Sequence, residues 1–245
     1  MSQLTDEELR RYARHTVLPE IGKIGQEKLR ASSALIVGAG GLGAASSAAL
    51  VAAGIGRIGI VEPDRVELSN LQRQTLYETA DIGQYKATAA EARLSELNPD
   101  CVIETHLTKL DESNADALIA NYDIIIDGTD NYAARFVLND ACMRVKKTWI
   151  HAAMVGFDAQ ITSFSANGAC YRCLVPELPE RERSCAMEGI FGPMAPVVGG
   201  LQAAEAIKQL LGIGALSGSL LIFNLQEMDF RKARLIRDKA CLFHA

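Results

Sequence analysis

Apolar runs and glycine-rich or polar breaks alternate along the first two-thirds of the chain. Ala34-Leu35-Ile36-Val37 gives way to Gly38-Ala39-Gly40-Gly41-Leu42-Gly43, and small residues then continue through Ala53. That order predicts a buried strand, a tight turn and a helix. A second apolar run, Ile58-Gly59-Ile60-Val61, ends in Glu62. Strand-like segments recur at 101–106, 123–127 and 148–153, and helical stretches fall at about 84–97, 112–120 and 131–146. Asn98-Pro99 stops the first of these helices. Strand and helix in alternation predict a parallel sheet with helices on both faces. From about Ala159 the alternation stops: 160–164 reads as a strand, 193–211 as a helix, and 219–224 and 229–236 as a closing hairpin. The expected fold is therefore α/β, parallel in its N-terminal part with an antiparallel C-terminal extension.

Ahead of the first strand, residues 5–15 carry Leu9 and Tyr12 among charges and predict a short amphipathic helix. Thr5 caps it and Glu8 completes a capping box. Taken locally, Arg10, Arg11 and Arg14 make a solvated basic face. No repeat, low-complexity tract or linker divides the chain. One domain over 1–245 is expected, with a helical arm at 1–30, a nucleotide-binding part at 31–158 and a last part at 159–245. Within that last part, 175–192 reads as an exposed, mobile loop.

Charge narrows the choice of partners. With 25 basic and 30 acidic side chains, the net charge of -5 provides no general affinity for nucleic acid. The polar, acid-containing start does not read as a signal peptide, and the apolar run 44–55 is too short to span a membrane. Six cysteines in 245 residues do not suggest a secreted disulfide scaffold, so a cytoplasmic protein is expected.

Gly38, Gly40 and Gly43, with Gly41 between them, form a Gly-x-Gly-x-x-Gly turn between strand and helix. In a Rossmann-like sheet such a turn brings backbone N–H groups and a helix N-terminus to a phosphate, and an acid such as Glu62 accepts from a ribose hydroxyl. The pattern does not say which nucleotide. Glu62, Asp127 and Asp130 fall at strand ends, and Arg73 and Lys86 follow the second strand, which assembles acids and cations at one crevice. Lys86 lies in the first turn of its helix, where a cation is unfavourable unless it faces an anion. A dehydrogenase needs no such cluster, whereas polyphosphate chemistry with magnesium does.

Cysteine spacing suggests a metal. Cys170 and Cys173 have the spacing of half a structural zinc site, and Cys241 and His244 repeat it. Two unrelated thiol pairs are the alternative, and a redox disulfide fits less well because Cys170 does not open a helix after a thioredoxin-like strand. Cys185 stands apart, near Arg181 and Arg183, as a nucleophile, a sulfur carrier or an incidental thiol.

Together these strings resemble the MoeB/ThiF family, the bacterial adenylyltransferases of ubiquitin-like sulfur-carrier proteins. The resemblance rests on Arg11-Tyr12-x-Arg14, the glycine turn, Leu68-Ser-Asn-Leu-Gln-Arg-Gln74, Asp81-Ile-Gly-x-x-Lys86, Asp127-Gly-Thr-Asp-Asn131 and Cys170-Tyr-Arg-Cys173. It implies adenylylation, with MgATP, of the C-terminal Gly-Gly carboxylate of a small carrier, with release of pyrophosphate. Two carriers fit, the small subunit of molybdopterin synthase and the thiamine-thiazole carrier, and a sulfurtransferase acts downstream. The resemblance assigns Arg73 and Lys86 to the phosphates and Asp130 to magnesium, with Asn70 and Gln74 lining the site. Arg14 reaches the ATP of a neighbouring subunit in a homodimer, and Cys185 matches a loop cysteine that some members link to the activated carrier. Three positions depart from the pattern: Glu62 stands for an aspartate, His244 for a cysteine and His15 for a glutamine. An NAD-dependent oxidoreductase would use the glycine turn but leave Arg73, Lys86 and Asp130 without a role. A non-catalytic module on the same fold would need none of the three. A relative activating a carboxylate on a tRNA base lacks a basic stripe here.

Overall fold

The computed structural model describes residues 3–178 and 189–244. Eight strands form one sheet in the order β3-β2-β1-β4-β5-β6-β7-β8. Strands β1 (Ser33–Val37), β2 (Arg57–Val61), β3 (Val102–His106), β4 (Ile124–Asp127) and β5 (Thr148–Val155) run parallel. Strands β6 (Asp158–Phe164), β7 (Ser219–Asn224) and β8 (Asp229–Arg234) continue antiparallel from β5. Both halves follow the expected fold class.

Alternation along the central strands divides the core into two layers. Ala34 and Ile36 of β1, Ile58 and Ile60 of β2 and Ile124 and Ile126 of β4 belong to one apolar cluster. They are covered by α4 (Gly41–Ala52), α5 (Lys86–Leu97) and the long α8 (Met194–Leu211). Leu35, Val37 and Ile125 belong to the other, under α6 (Ala115–Ala120) and α7 (Tyr132–Arg144), where Trp149, Phe164 and Tyr171 interlock at centroid distances of 5.0–6.1 Å. Helices α4 and α8 pack closely because their contact is made of small residues. A Cβ on Gly199 would stand 2.6 Å from that of Ala45.

The N-terminal arm differs from its expected single helix. Helix α1 (Asp6–Arg11) and the short α2 (Ala13–Thr16) break at Tyr12, which is buried and whose hydroxyl accepts a 2.9 Å hydrogen bond from Asn98. The Thr5/Glu8 capping box is present, and Glu8 also pairs with Arg30 at 2.8 Å. That ion pair ties the arm to α3 (Gly22–Arg30), a helix with no side-chain cap and two glycines that the sequence pattern does not signal. No helix among the described residues is long and apolar enough to cross a membrane.

Candidate functional site

A cleft of about 810 Å³ opens at the carboxyl ends of the parallel strands, where sheets of this kind collect ligands. Its floor is the glycine turn between β1 and α4. Gly38 has φ +89° and donates to Val61 O at 2.9 Å. A side chain there would meet the Gly128 carbonyl at 2.8 Å, so glycine is needed both for the left-handed backbone and for the approach to the β4 turn. Helix α4 starts at Gly41 with no capping side chain, which leaves N–H groups at its first turn for an anion.

Glu62, just after β2, lines the cleft and braces the turn. It is buried, Oε2 accepts from Ala39 N at 2.8 Å, and Oε1 accepts from Asp64 N at 2.9 Å. Tyr77, which carries no sequence signal, donates from its hydroxyl to Ala39 O at 2.7 Å. Glu62 and Tyr77 thus hold both polar groups of Ala39 and set the shape of the turn. Burial, then the Glu62 and Asp81 carboxylates, push the Tyr77 phenol up, so it stays a donor.

Two cations line the same cleft. Lys86, the first residue of α5, is 7% exposed, and its ion pair is with Asp64 at 3.4 Å, whose side chain is 68% exposed. Arg73 donates to Ser69 O at 3.0 Å and lines the cleft with Asn70. Asn70 is buried, and its Oδ1 accepts from Glu67 N at 3.2 Å. Gln74, also buried, leaves its Oε1 without a partner. Asp130 is exposed on the opposite wall, held by Asn131 at 3.2 Å. Glycines 38, 40 and 41, Glu62, Asn70, Arg73, Gln74, Lys86 and Asp130 therefore meet at one cleft, while Gly43 sits below it, where a Cβ would overlap the Gly38 carbonyl. Arg14 is exposed on α2 and does not line the cleft of its own chain. Cys185 lies outside the described residues.

Asp127 does not join the crevice as the sequence suggested. It is fully buried, with Oδ1 accepting from Thr129 N and Oγ1 at 3.0 and 2.6 Å. Oδ2 accepts from His151 Nδ1 at 2.8 Å and Arg135 Nε at 3.3 Å. Burial alone would raise its carboxyl, but Arg135, His151 and Thr129 outweigh burial and hold it below the ordinary range. His151 is also held below its ordinary value, but here burial is the cause: it outweighs the Asp127 charge and favours the neutral imidazole. This network anchors the turn that carries Asp130. A polar His151 inside the apolar run of β5 was its one sequence signal.

Cys170, Cys173, Cys241 and His244 converge, with their donor atoms within 4.8 Å of one another. Cys170 Sγ lies 3.5 Å from Cys241 Sγ and 3.9 Å from Cys173 Sγ, and the buried His244 Nε2 has no partner. Burial, then the neighbouring thiols, push the Cys170 thiol up to about 12. Three crowded thiols and an orphaned ring nitrogen are unfavourable together unless a cation collects them, and the set suits a closed four-coordinate metal site. Cys101 and Cys142 are plain core residues, and burial pushes Cys101 up to about 12.

Comparison with known proteins finds similarity along nearly the whole chain. The ThiF family profile matches residues 12–243. The chain is 45% identical over 246 residues to a sulfur carrier protein adenylyltransferase of Thermus thermophilus, covering 97% of this chain and 91% of that one. It is 44% identical to the adenylyltransferase and sulfurtransferase MOCS3 of Aedes aegypti, of which it spans 56% of the length. A crystal structure of E. coli MccB with MccA-N7isoASN superposes with a TM-score of 0.85 at 22% identity, covering 96% of this chain and 74% of that one, and so shares the fold.

Proposed function

The chain belongs to the ThiF family, and from that premise we propose that it uses ATP to adenylylate the C-terminal Gly-Gly carboxylate of a small ubiquitin-like sulfur-carrier protein. The observation that carries the reading is the cleft itself: a glycine turn flanked by a nearly buried lysine, an arginine and an exposed aspartate at adjoining strand ends. A carboxylate oxygen attacks the α-phosphorus, the new P–O bond forms, and the bond to the bridging oxygen breaks with its electron pair leaving on pyrophosphate. Attacker and target are both anions. Two unit charges 4 Å apart repel by about 4 kcal/mol at an effective dielectric of 20, so the site must supply compensating charge. Arg73, Lys86 and the free N–H groups at the start of α4 supply it. Asn70 and Gln74 complete the nucleotide wall, and Glu62 shapes the turn and would accept from a ribose hydroxyl with its remaining lone pairs.

Asp130 would hold a magnesium ion, which screens the phosphates and orients the leaving group. Arg14 is exposed, as a residue serving the cleft of a second copy in a homodimer must be. A sulfurtransferase is the partner that would consume the acyl-adenylate, and a carrier of molybdopterin synthase or of thiamine-thiazole synthesis is the substrate. Cys185 retains its proposed role as a link to the activated carrier.

Nucleotide preference tests this reading. MgATP at a hundred times its Kd stabilises the protein by about 2.7 kcal/mol, seen as a rise in Tm, and NAD has no effect. Stabilisation by NAD alone would defeat adenylylation.

The Cys170/Cys173/Cys241/His244 cluster would hold zinc, which favours three thiolates and an imidazole nitrogen in a tetrahedral set. The group would be structural, since four protein ligands leave no open position. Protein purified without chelator should carry about one zinc per chain. A content below about half an equivalent would reject the assignment.

A further inference from the structure

Gln160 lies on β6, opposite Ala153 of β5 and Ile222 of β7, and all three line the cleft beyond the phosphate region. These cross-strand partners share one face and form a narrow floor leading out over the antiparallel extension. His151 shares that face, two residues back along β5, and its Nε2 is 3.2 Å from Gln160 Nε2. The chemistry of the buried network fixes both side chains. Asp127 is a pure acceptor, so His151 must carry its proton on Nδ1, where the 2.8 Å bond is made. Nε2 of the neutral ring is then an acceptor, and it takes a hydrogen from the Gln160 amide nitrogen. The amide is turned so that its nitrogen faces inward and Oε1 faces the cleft. Among the described residues, no group donates to that oxygen.

We infer that Gln160 is a substrate-binding residue whose carbonyl oxygen accepts a backbone N–H from the extended C-terminal tail of the carrier, and that Asp127 and His151 are positioning residues that fix its orientation. This rests on the carrier-adenylylating reading above. An extended glycine tail has no side chains to grip, so recognition must come from backbone hydrogen bonds and a floor without protrusions. Ala153 and the Gln160 amide provide that, while a preset amide loses little freedom on binding. Ile222, 42% exposed on the same row, gives the path an apolar outer edge.

Gln160→Leu conserves size and removes the acceptor. In carrier-dependent ATP–pyrophosphate exchange, it should raise the KM for carrier about tenfold, or 1.4 kcal/mol, while the KM for MgATP and the MgATP-induced rise in Tm stay within about twofold of the parent. A carrier whose last peptide bond is replaced by an ester lacks that N–H. It should show a similar rise with the parent enzyme and no further loss with Gln160→Leu. An unchanged carrier KM in Gln160→Leu, or an equal rise in both KM values, would overturn the inference. If no Gly-Gly carrier supports exchange by the parent protein, the adenylylation reading fails first and the inference falls with it.

Discussion

Lys86→Met should lower carrier-dependent ATP–pyrophosphate exchange by about 10²–10³-fold, the range found when one preorganised charge-stabilising donor is removed. It should do so without lowering Tm. Lys86 is 7% exposed, at the positive end of α5, and its partner Asp64 is distant at 3.4 Å and mostly solvated. Holding an ammonium there costs stability in the free protein, because desolvation and the helix terminus both oppose it. Methionine keeps the volume and drops the charge. Loss of exchange with Tm unchanged or raised would identify a cation kept for the phosphates. Full exchange in the variant would remove Lys86 from the mechanism, and a large fall in Tm would make it structural.

Asp127→Asn is the second large effect, and it falls on stability. The neutral amide leaves the Arg135 guanidinium buried without a counter-charge, and the amide nitrogen, in place of either oxygen, faces two of the four donors Asp127 now satisfies. Breaking a buried pair from one side costs about 3–5 kcal/mol, and for a domain of this size Tm should fall by roughly 6–20 °C. The parent network also sets a sign for pH. The His151 imidazole is held below its ordinary value of 6.5, so below about pH 6.5 the unfolded chain binds a proton the folded one refuses. The Asp127 carboxyl is held below its ordinary 3.8, so the stability it contributes is present above that value and is lost as pH falls through its folded one. Both act in the same direction. Urea midpoints should decline on acidification from pH 7 to 4, and that decline should be shallower in His151→Gln. An equal slope in the variant would show that His151 is not responsible.

Much of this architecture was legible in one sequence because its signals are local. The run at Ala34–Val37 and the glycine turn gave β1 and α4 within a residue or two, and Asn98-Pro99 marked the end of α5. The strand order was not legible, since nothing local says that β1 pairs with both β2 and β4. Helix α3 was missed for want of a cap, and the arm was expected as one helix because Tyr12 looks like any amphipathic position until Asn98 is seen bonded to it. At the site, the charged residues Arg73, Lys86 and Asp130 stood out, whereas Tyr77, Arg135, His151 and Gln160 did not. Their importance comes from partners distant in the chain. Asp127 shows the opposite error, because strand-end acids look alike whether they face a ligand or the core beneath it.

Strand β8, one of the two edges of the sheet, bears on how copies of the protein can meet. It is exposed along most of its length and carries Arg231, Lys232 and Arg234 within six residues, against a single Asp229. Its free edge offers unpaired N–H and C=O groups, which would template a second β8 if charge allowed. Two such edges laid together would bring clustered like charges into register, an arrangement that costs stability at each facing pair. Growth of the sheet across the β8 edge into a continuous sixteen-stranded layer is therefore opposed from the start.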